Sequence, residues 1–260
     1  MRITKSEVKL LRSLGQKKVR EREKTFVIEG WKSLRDALNS DFHIEFVAMK
    51  HQFAGNPDYG SFVRDIESRR IDLKELSDIE LNQVADTVHA QGVVALIRQK
   101  TRILDEVVSN DSKLIVVADR VADPGNLGTM VRTCDWFGVD GLILTIGCVD
   151  LYNEKVVRST SGSIFHLPVF ENADAKAVLS QIKERGFRIT ATAGDAKTSY
   201  ADVNYEEKNA IIFGNEAGGV QSDTRRLADT VVSIPRQGKA ESLNVGVACG
   251  IVLSHLRNQR

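Results

Sequence analysis

The chain reads as an α/β protein in two parts, a small α/β domain over residues 1–104 and a larger parallel-sheet domain over residues 105–260. Three observations point there. Short apolar runs alternate with amphipathic segments along the whole length, the pattern of strands packed against helices. In the second part the apolar runs are continuous rather than alternating, as expected of strands covered on both faces. The polar stretch 98–112, with Asn110-Asp111 inside it, separates the two parts.

Taken in order, residues 4–14 place Val8, Leu10, Leu11 and Leu14 at roughly helical spacing behind a Thr4 or Ser6 suited to cap the start. Phe26-Val27-Ile28 is a short strand that ends at Glu29-Gly30, and Trp31, Leu34, Ala37 and Leu38 form the stripe of the helix after it. Residues 44–49 predict a strand, 59–69 a helix after the turn at 55–58, and 93–97 the last strand of the first part. In the second part, strands are predicted at 114–118, 142–144, 187–191, 210–213 and 231–234, with helical segments between them. A helix carrying Leu127, Val131, Cys134 and Phe137 follows the first of these strands. A final helix runs from about 243 to 256, with Gly246, Ala248 and Gly250 permitting close packing.

Composition narrows the function. An apolar share of 42 % and a charged share of 27 % argue for a packed core and against wholesale disorder. No run approaches the 18 or more apolar residues of a membrane span, and the charged start Met1-Arg2-Ile3-Thr4-Lys5 is unlike a signal peptide. Cys134, Cys148 and Cys249 have neither disulfide-framework nor zinc spacing, and His43, His51, His89, His166 and His255 are scattered, so no metal is expected and a reducing cytoplasm fits. The net charge of +1 hides an asymmetry. Residues 1–104 carry 19 basic and 15 acidic side chains, and the first 24 residues alone carry 9 and 3. Lys17, Lys18, Arg20, Arg22 and Lys24 form one run, which suits either a solvated helix face or an element facing nucleic acid.

Three segments following predicted strands concentrate unusual residues, and ligands of open parallel sheets bind at the carboxyl ends of strands. The first, DPGNLGTMVRTCDWFG (123–138), offers Asn126 as a helix cap and Arg132 near the helix start, placed either for a phosphate or for a surface ion pair. Its Gly125 and Gly128 lack the G-x-G-x-x-G spacing of a dinucleotide site, which disfavours a nicotinamide enzyme. The second, IIFGNEAGGV (211–220), sets Asn215 and Glu216 among glycines, either as a tight turn or as a close approach to a ligand. The third, IPRQGKAESLNVGVACG (234–250), places Ser242 where it can cap the last helix, while Asn244 has no propensity-based reason to be there.

Together these residues carry a resemblance. Asn126 with Arg132-Thr133-Cys134, then Phe213-Gly214-Asn215-Glu216 with Gly219, then Ile234-Pro235 and Ser242-Leu243-Asn244-Val245 resemble the three ordered motifs of the SpoU (TrmH) family of RNA 2′-O-ribose methyltransferases, of the SPOUT class. Arg158-Ser159, Ser161-Gly162 and residues 165–169 are similar to the stretch between the family's first and second motifs, and residues 26–30 to the start of its small substrate-binding domain. The resemblance covers nearly the whole chain.

It implies a catalytic half whose C-terminal segment forms a trefoil knot, S-adenosylmethionine as cofactor, a homodimer, and RNA as substrate, ribosomal RNA more than tRNA. Carried over position by position, it implies Arg132 as the catalytic residue with Asn126, Glu216, Ser242 and Asn244 as its partners. Thr192, Ala193, Gly194, Gly214, Asn215, Ile234 and Leu243 are then expected around the cofactor, and Lys17, Lys18, Arg20, Arg22, Arg158 and Ser161 on the RNA. Two positions depart from the family's third motif, where Met and Ser are commoner than the Arg236 and Gly246 found here. The competing expectation is an RNA-binding or ribosome-assembly protein that keeps the fold without methylating.

Overall fold

The computed structural model describes residues 1–54, 59–84 and 91–259. The chain divides into two compact units, Met1–Lys100 with Tyr152–His166, and Thr101–Leu151 with Leu167–Arg260.

The first unit runs α1 (Lys5–Ser13), α2 (Lys17–Glu23), β1 (Thr25–Glu29), α3 (Trp31–Leu38), β2 (Ile44–Lys50), α4 (His51–Ala54), α5 (Gly60–Ser68), β3 (Asp72–Leu76), α6 (Asp78–Val84) and β4 (Val93–Arg98). Thr4, rather than Ser6, caps α1. Its hydroxyl accepts from the Glu7 N–H while the Glu7 carboxylate accepts from the Thr4 N–H, a reciprocal capping box. The strands form one mixed sheet in the order β1-β4-β2-β3, antiparallel except for β2 with β3. Val8, Leu11, Leu14, Phe46, Ala48, Leu76, Leu81 and Leu96 build a shared core beneath α1 and α6. The strand β3 (DLKEL) is absent from the sequence expectation for a physical reason: it is an edge strand, and within it only Lys74 and Leu76 are buried. Lys74 tolerates burial because its ammonium meets the Glu7 carboxylate.

The second unit holds α7 (Leu104–Val107), β5 (Leu114–Asp119), α8 (Pro124–Trp136) and β6 (Gly141–Thr145), after which the chain contributes α9 (Glu154–Thr160) to the first unit. It resumes with β7 (Val169–Ala173), α10 (Ala175–Glu184), β8 (Arg188–Thr192), β9 (Thr198–Ser199), β10 (Asn209–Gly214), α11 (Ser222–Arg226), β11 (Thr230–Ser233) and α12 (Val245–Asn258). Its seven strands are all parallel to their neighbours, in the order β7-β6-β5-β10-β8-β11-β9. The central strands β5 and β10 are buried at every position, which is why residues 114–118 and 210–213 within them are unbroken apolar runs. The helices α8 and α12 pack on each other, and the helix glycine Gly246 matters there. A Cβ at Gly246 would lie 2.8 Å from Cγ2 of Thr129, too close without displacement, so the departure from the family's Ser is a close-packing device.

A single cut at 104/105 therefore differs from the observed division in two respects, the placing of residues 101–104 in the second unit and, more consequentially, of residues 152–166 in the first. That segment groups with the first unit through aromatic packing: Phe26 lies 4.7 Å from Tyr152, Phe42 lies 5.1 Å from Phe165, and the Tyr152 hydroxyl donates to the Lys100 carbonyl. Such ring contacts reach across the sequence and leave no periodic trace in it.

One basic residue is part of this framework. Arg20 is 2 % exposed and its guanidinium donates to the carbonyls of Leu14 (2.6 Å) and Gly15 (2.9 Å), closing the connection from α1 to α2. Arg20→Ala would orphan those carbonyls and leave a void, so we expect a loss of about 2–3 kcal/mol in unfolding free energy by urea titration. An unchanged midpoint would contradict this structural role.

Candidate active site in the parallel-sheet unit

The carboxyl ends of β5, β10, β8 and β11 lie side by side in the sheet, and the loops leaving them bring the three sequence segments together. Asp119, the last residue of β5 and almost fully buried, ties these loops down. Its carboxylate accepts from the Gln221 N–H (2.8 Å) and the Thr145 hydroxyl (3.2 Å), a role the sequence reading missed because nothing in a β-strand terminus marks it.

The helix α8 starts one turn earlier than an Asn126 cap requires. Asp123 is the N-cap, accepting from the Asn126 N–H (2.8 Å), and Pro124 occupies the first turn. Asn126 is thereby freed from capping. Its Nδ2 donates to Glu216 Oε1 (2.9 Å), and its Oδ1 accepts from Asn244 Nδ2 (2.7 Å). Asn244, not Ser242, caps α12: its Oδ1 accepts from the N–H groups of Gly246 (2.9 Å) and Val247 (3.2 Å). The last helix consequently begins at Val245 rather than near 243. Glu216, Asn126 and Asn244, one from each segment, form a single hydrogen-bonded chain in which every amide orientation is fixed by its neighbours.

Two expected members stand outside that chain. Ser242 is exposed in the loop before the Asn244 cap. Arg132 is exposed on α8, two turns beyond the start, and shares a helix face with Gly125, Thr129 and Trp136 by the 100° step of the helix. Among the described residues, neither side chain takes part in a hydrogen bond or ion pair. The cation is therefore held ready rather than neutralised.

The loop after β10 is built by Asn215. Its Nδ2 donates to the Arg120 carbonyl (2.8 Å), its Oδ1 accepts from the N–H of Ala217 (2.9 Å) and Gly218 (3.3 Å), and its backbone pairs with Gly219 in both directions. With these bonds Asn215 shapes the loop. At Gly214 any Cβ would collide with the backbone of Gly219 and Val220, so this turn admits only glycine. Thr192 spends its hydroxyl on the Ile212 carbonyl (3.0 Å) and Ala193 its N–H on the Val232 carbonyl (2.9 Å), locking β8 to both neighbours. Beyond them Gly194 faces open space, Ile234 is half-buried and Leu243 is 48 % exposed. These loops offer apolar side chains at Ile234 and Leu243 and a glycine at Gly194 with open space on its Cβ side, groups that can face an adenine ring and leave backbone donors and acceptors for the polar parts of S-adenosylmethionine. Arg236 turns back to the Ala240 carbonyl (3.2 Å) within the loop.

Burial argues against Cys134 and Cys148 as nucleophiles. Burial pushes the Cys134 thiol well up, with Cys249 beside it adding to the effect, and burial raises Cys148 to about 11. No cluster of three or more metal-ligating side chains occurs among the described residues. No helix among them is long and apolar enough to cross a membrane. Of the basic residues expected on RNA, Lys17 pairs with Glu21 at 3.7 Å and Arg22 with Glu23, all at the surface, and Lys18 is exposed. Ser161 accepts from the Lys32 ammonium (2.9 Å), Arg158 is exposed on α9, and Arg20 is withdrawn into the framework described above.

Asn126→Ala would cut the chain at its centre while leaving the Asp123 and Asn244 caps in place. We expect an unfolding midpoint within about 1 kcal/mol of wild type together with a loss of turnover on the order of 100-fold. Retained turnover would show that the chain is only scaffolding.

Comparison with known proteins agrees with this geometry. Residues 113–254 match the SpoU rRNA Methylase family and residues 5–95 the MRM3-like substrate binding domain. The chain is 33 % identical over 251 residues to the 23S rRNA (guanosine(2553)-2′-O)-methyltransferase RlmP of Bacillus subtilis, covering 96 % of each chain. It is 27 % identical to the 23S rRNA (uridine(2479)-2′-O)-methyltransferase of Streptomyces viridochromogenes, covering 95 % of this chain and 87 % of that one. Among solved structures, an AdoMet-bound rRNA methyltransferase from Sinorhizobium meliloti superposes with a TM-score of 0.88 at 28 % identity, covering 99 % of this chain and 96 % of that one. The SpoU methyltransferase AviRb from S. viridochromogenes, in complex with AdoMet, superposes with a TM-score of 0.87 at 25 % identity, covering 99 % and 98 %. With its three motifs joined through Asn126 at the ends of a parallel sheet, this chain belongs to the SpoU rRNA methylase family.

Proposed function

We propose that the protein methylates a ribose 2′-hydroxyl of ribosomal RNA, with S-adenosylmethionine as donor. The observation that carries this reading is the hydrogen-bonded chain Glu216–Asn126–Asn244, which unites the three family motifs in one place. The relatives named as 23S rRNA 2′-O-methyltransferases support ribosomal RNA as the substrate class. Gly194, Gly214, Ile234 and Leu243 would hold the cofactor, with Thr192, Ala193 and Asn215 keeping those loops in shape. When bound, S-adenosylmethionine supplies a methyl group made electrophilic by its sulfonium charge.

The residues of the chain do the remaining work. A ribose hydroxyl is a weak nucleophile at neutral pH, so the site must orient its attack and stabilise the charge that grows on its oxygen. Arg132 does the second: its guanidinium presents donors to the developing oxyanion, and the hydroxyl proton passes to an RNA oxygen or to water. Glu216, Asn126 and Asn244 fix the two loops and the α12 start that surround the reacting oxygen, and Ser242 lies in the same loop as a further contact. The order β5-β10-β8-β11, with α12 returning to α8, supports a knotted path for the C-terminal segment.

The reading includes a homodimer and a cytoplasmic setting. Trp136 is 84 % exposed on the Arg132 face of α8, and Leu243 and Val247 lie half exposed just before and at the start of α12, apolar surface that a partner subunit would cover. The three cysteines are free thiols, as in a reducing compartment.

Arg132→Ala should abolish methyl transfer, at least 1,000-fold in kcat, while leaving the S-adenosylmethionine affinity measured by calorimetry within about threefold. Equal loss of both would refute this division of roles. Trp136→Glu should convert a sedimenting dimer to monomer, and unchanged sedimentation would remove α8 from the interface.

A further inference from the structure

The first unit contains a groove of about 680 Å³, within the roughly 300–1,000 Å³ span of sites that enclose a small organic ligand. Every lining residue belongs to that unit. Its walls come from the end of α1, the β1–α3 junction and α9. The first two lie in the stretch matched by the substrate-binding domain, and α9 lies in the stretch matched by the methylase family. Neither family description alone contains the whole groove.

Its chemistry has two halves. Arg12, Lys32 and Arg158 bring three exposed cationic side chains to the lining. The N-terminus of α3 opens there as well: Gly30 is its N-cap, no side chain caps it, and its first turn holds no acid. Glu154, with Gln83 and Gln91, supplies an acceptor and amides in the same space, and the Glu29 carboxylate beside them accepts from the Gln91 N–H (3.2 Å). A surface that only follows a phosphate backbone has no use for carboxylates, which repel it. A nucleotide removed from its stack matches both halves, phosphate to the cations and base edge to the carboxylates and amides.

We propose that this groove receives an unpaired nucleotide of the RNA substrate, with Arg12 and Lys32 as phosphate contacts and Glu154 facing the base. The proposal rests on the RNA-methyltransferase reading and specifies how the substrate is gripped. The α9 wall gives it a consequence: Lys32 donates to Ser161 at the end of α9, so the segment that runs between β6 and β7 is held by a residue that also contacts RNA.

The test pairs the double variant Arg12→Glu/Lys32→Glu with Arg64→Glu/Arg69→Glu, an equal charge change on exposed residues outside the groove. Fluorescence anisotropy follows a ten-nucleotide single-stranded RNA and a duplex of the same length, and methyl transfer is assayed on total ribosomal RNA. We expect the groove variant to lose at least 10-fold in single-strand affinity and to raise KM for ribosomal RNA similarly. Its duplex affinity and its calorimetric affinity for S-adenosylmethionine should change less than threefold, and the control variant should behave as wild type. Equal losses for duplex and single strand, or equal losses in both variants, would reduce the groove to part of a general cationic surface and overturn the proposal. Wild-type affinity in the groove variant would overturn it too. In each of these cases wild-type methyl transfer leaves the methyltransferase reading standing. If the wild-type protein transfers no methyl group to ribosomal RNA, that reading fails instead, whatever the anisotropy shows.

Discussion

The joining of the three motif segments in the catalytic unit depends on a single side chain's two hydrogen bonds. Asn126 gives its amide hydrogen to Glu216 and its carbonyl oxygen to Asn244, partners 90 and 118 residues away. A carboxylate at this position could not donate and an ammonium could not accept, whereas an amide does both and joins these two neighbours as they stand. Asn244 in turn spends its remaining oxygen on the start of α12, so the orientation of the last helix is linked to the loop after β10 through one amide.

That arrangement works because other residues have relieved these groups of ordinary duties. Asp123 caps α8, leaving Asn126 free; Asn215 braces its own loop, leaving Glu216 free. Asp119 anchors the same loop from below through the Gln221 N–H. The three segments are thus joined by a frame of committed polar groups, while Arg132, on another face of α8, stands exposed and uncommitted. This division suits a reaction whose main demand is stabilisation of charge at one fixed point.

The sequence made the frame's strands legible and its polar wiring much less so. The central strands β5 and β10 are buried throughout, and their unbroken apolar runs announced them. The edge strand β3 did not, because its residues mostly face water and alternate with charge. Ser242 and Asn126 both looked like helix caps, since Ser and Asn are good ones, yet Asp123 and Asn244 hold those places; local propensity ranks candidates but cannot say which of several neighbours takes the position. Arg20 sat in a basic run that suggested a surface, and it proved to be the one member turned inward, because two carbonyls of the preceding connection needed a donor. Likewise the attachment of residues 152–166 to the first unit rests on ring contacts between distant phenylalanines and a tyrosine, which no window along the chain displays.

The central claim concerns where the methyl group goes, and the most direct measurement follows it there. Ribosomal RNA treated with the protein and S-adenosylmethionine carrying a radioactive methyl group is hydrolysed in alkali, which cleaves only beside a free 2′-hydroxyl. The account predicts that the label appears in alkali-resistant dinucleotides. Label released with mononucleotides would place the methyl group on a base and contradict it.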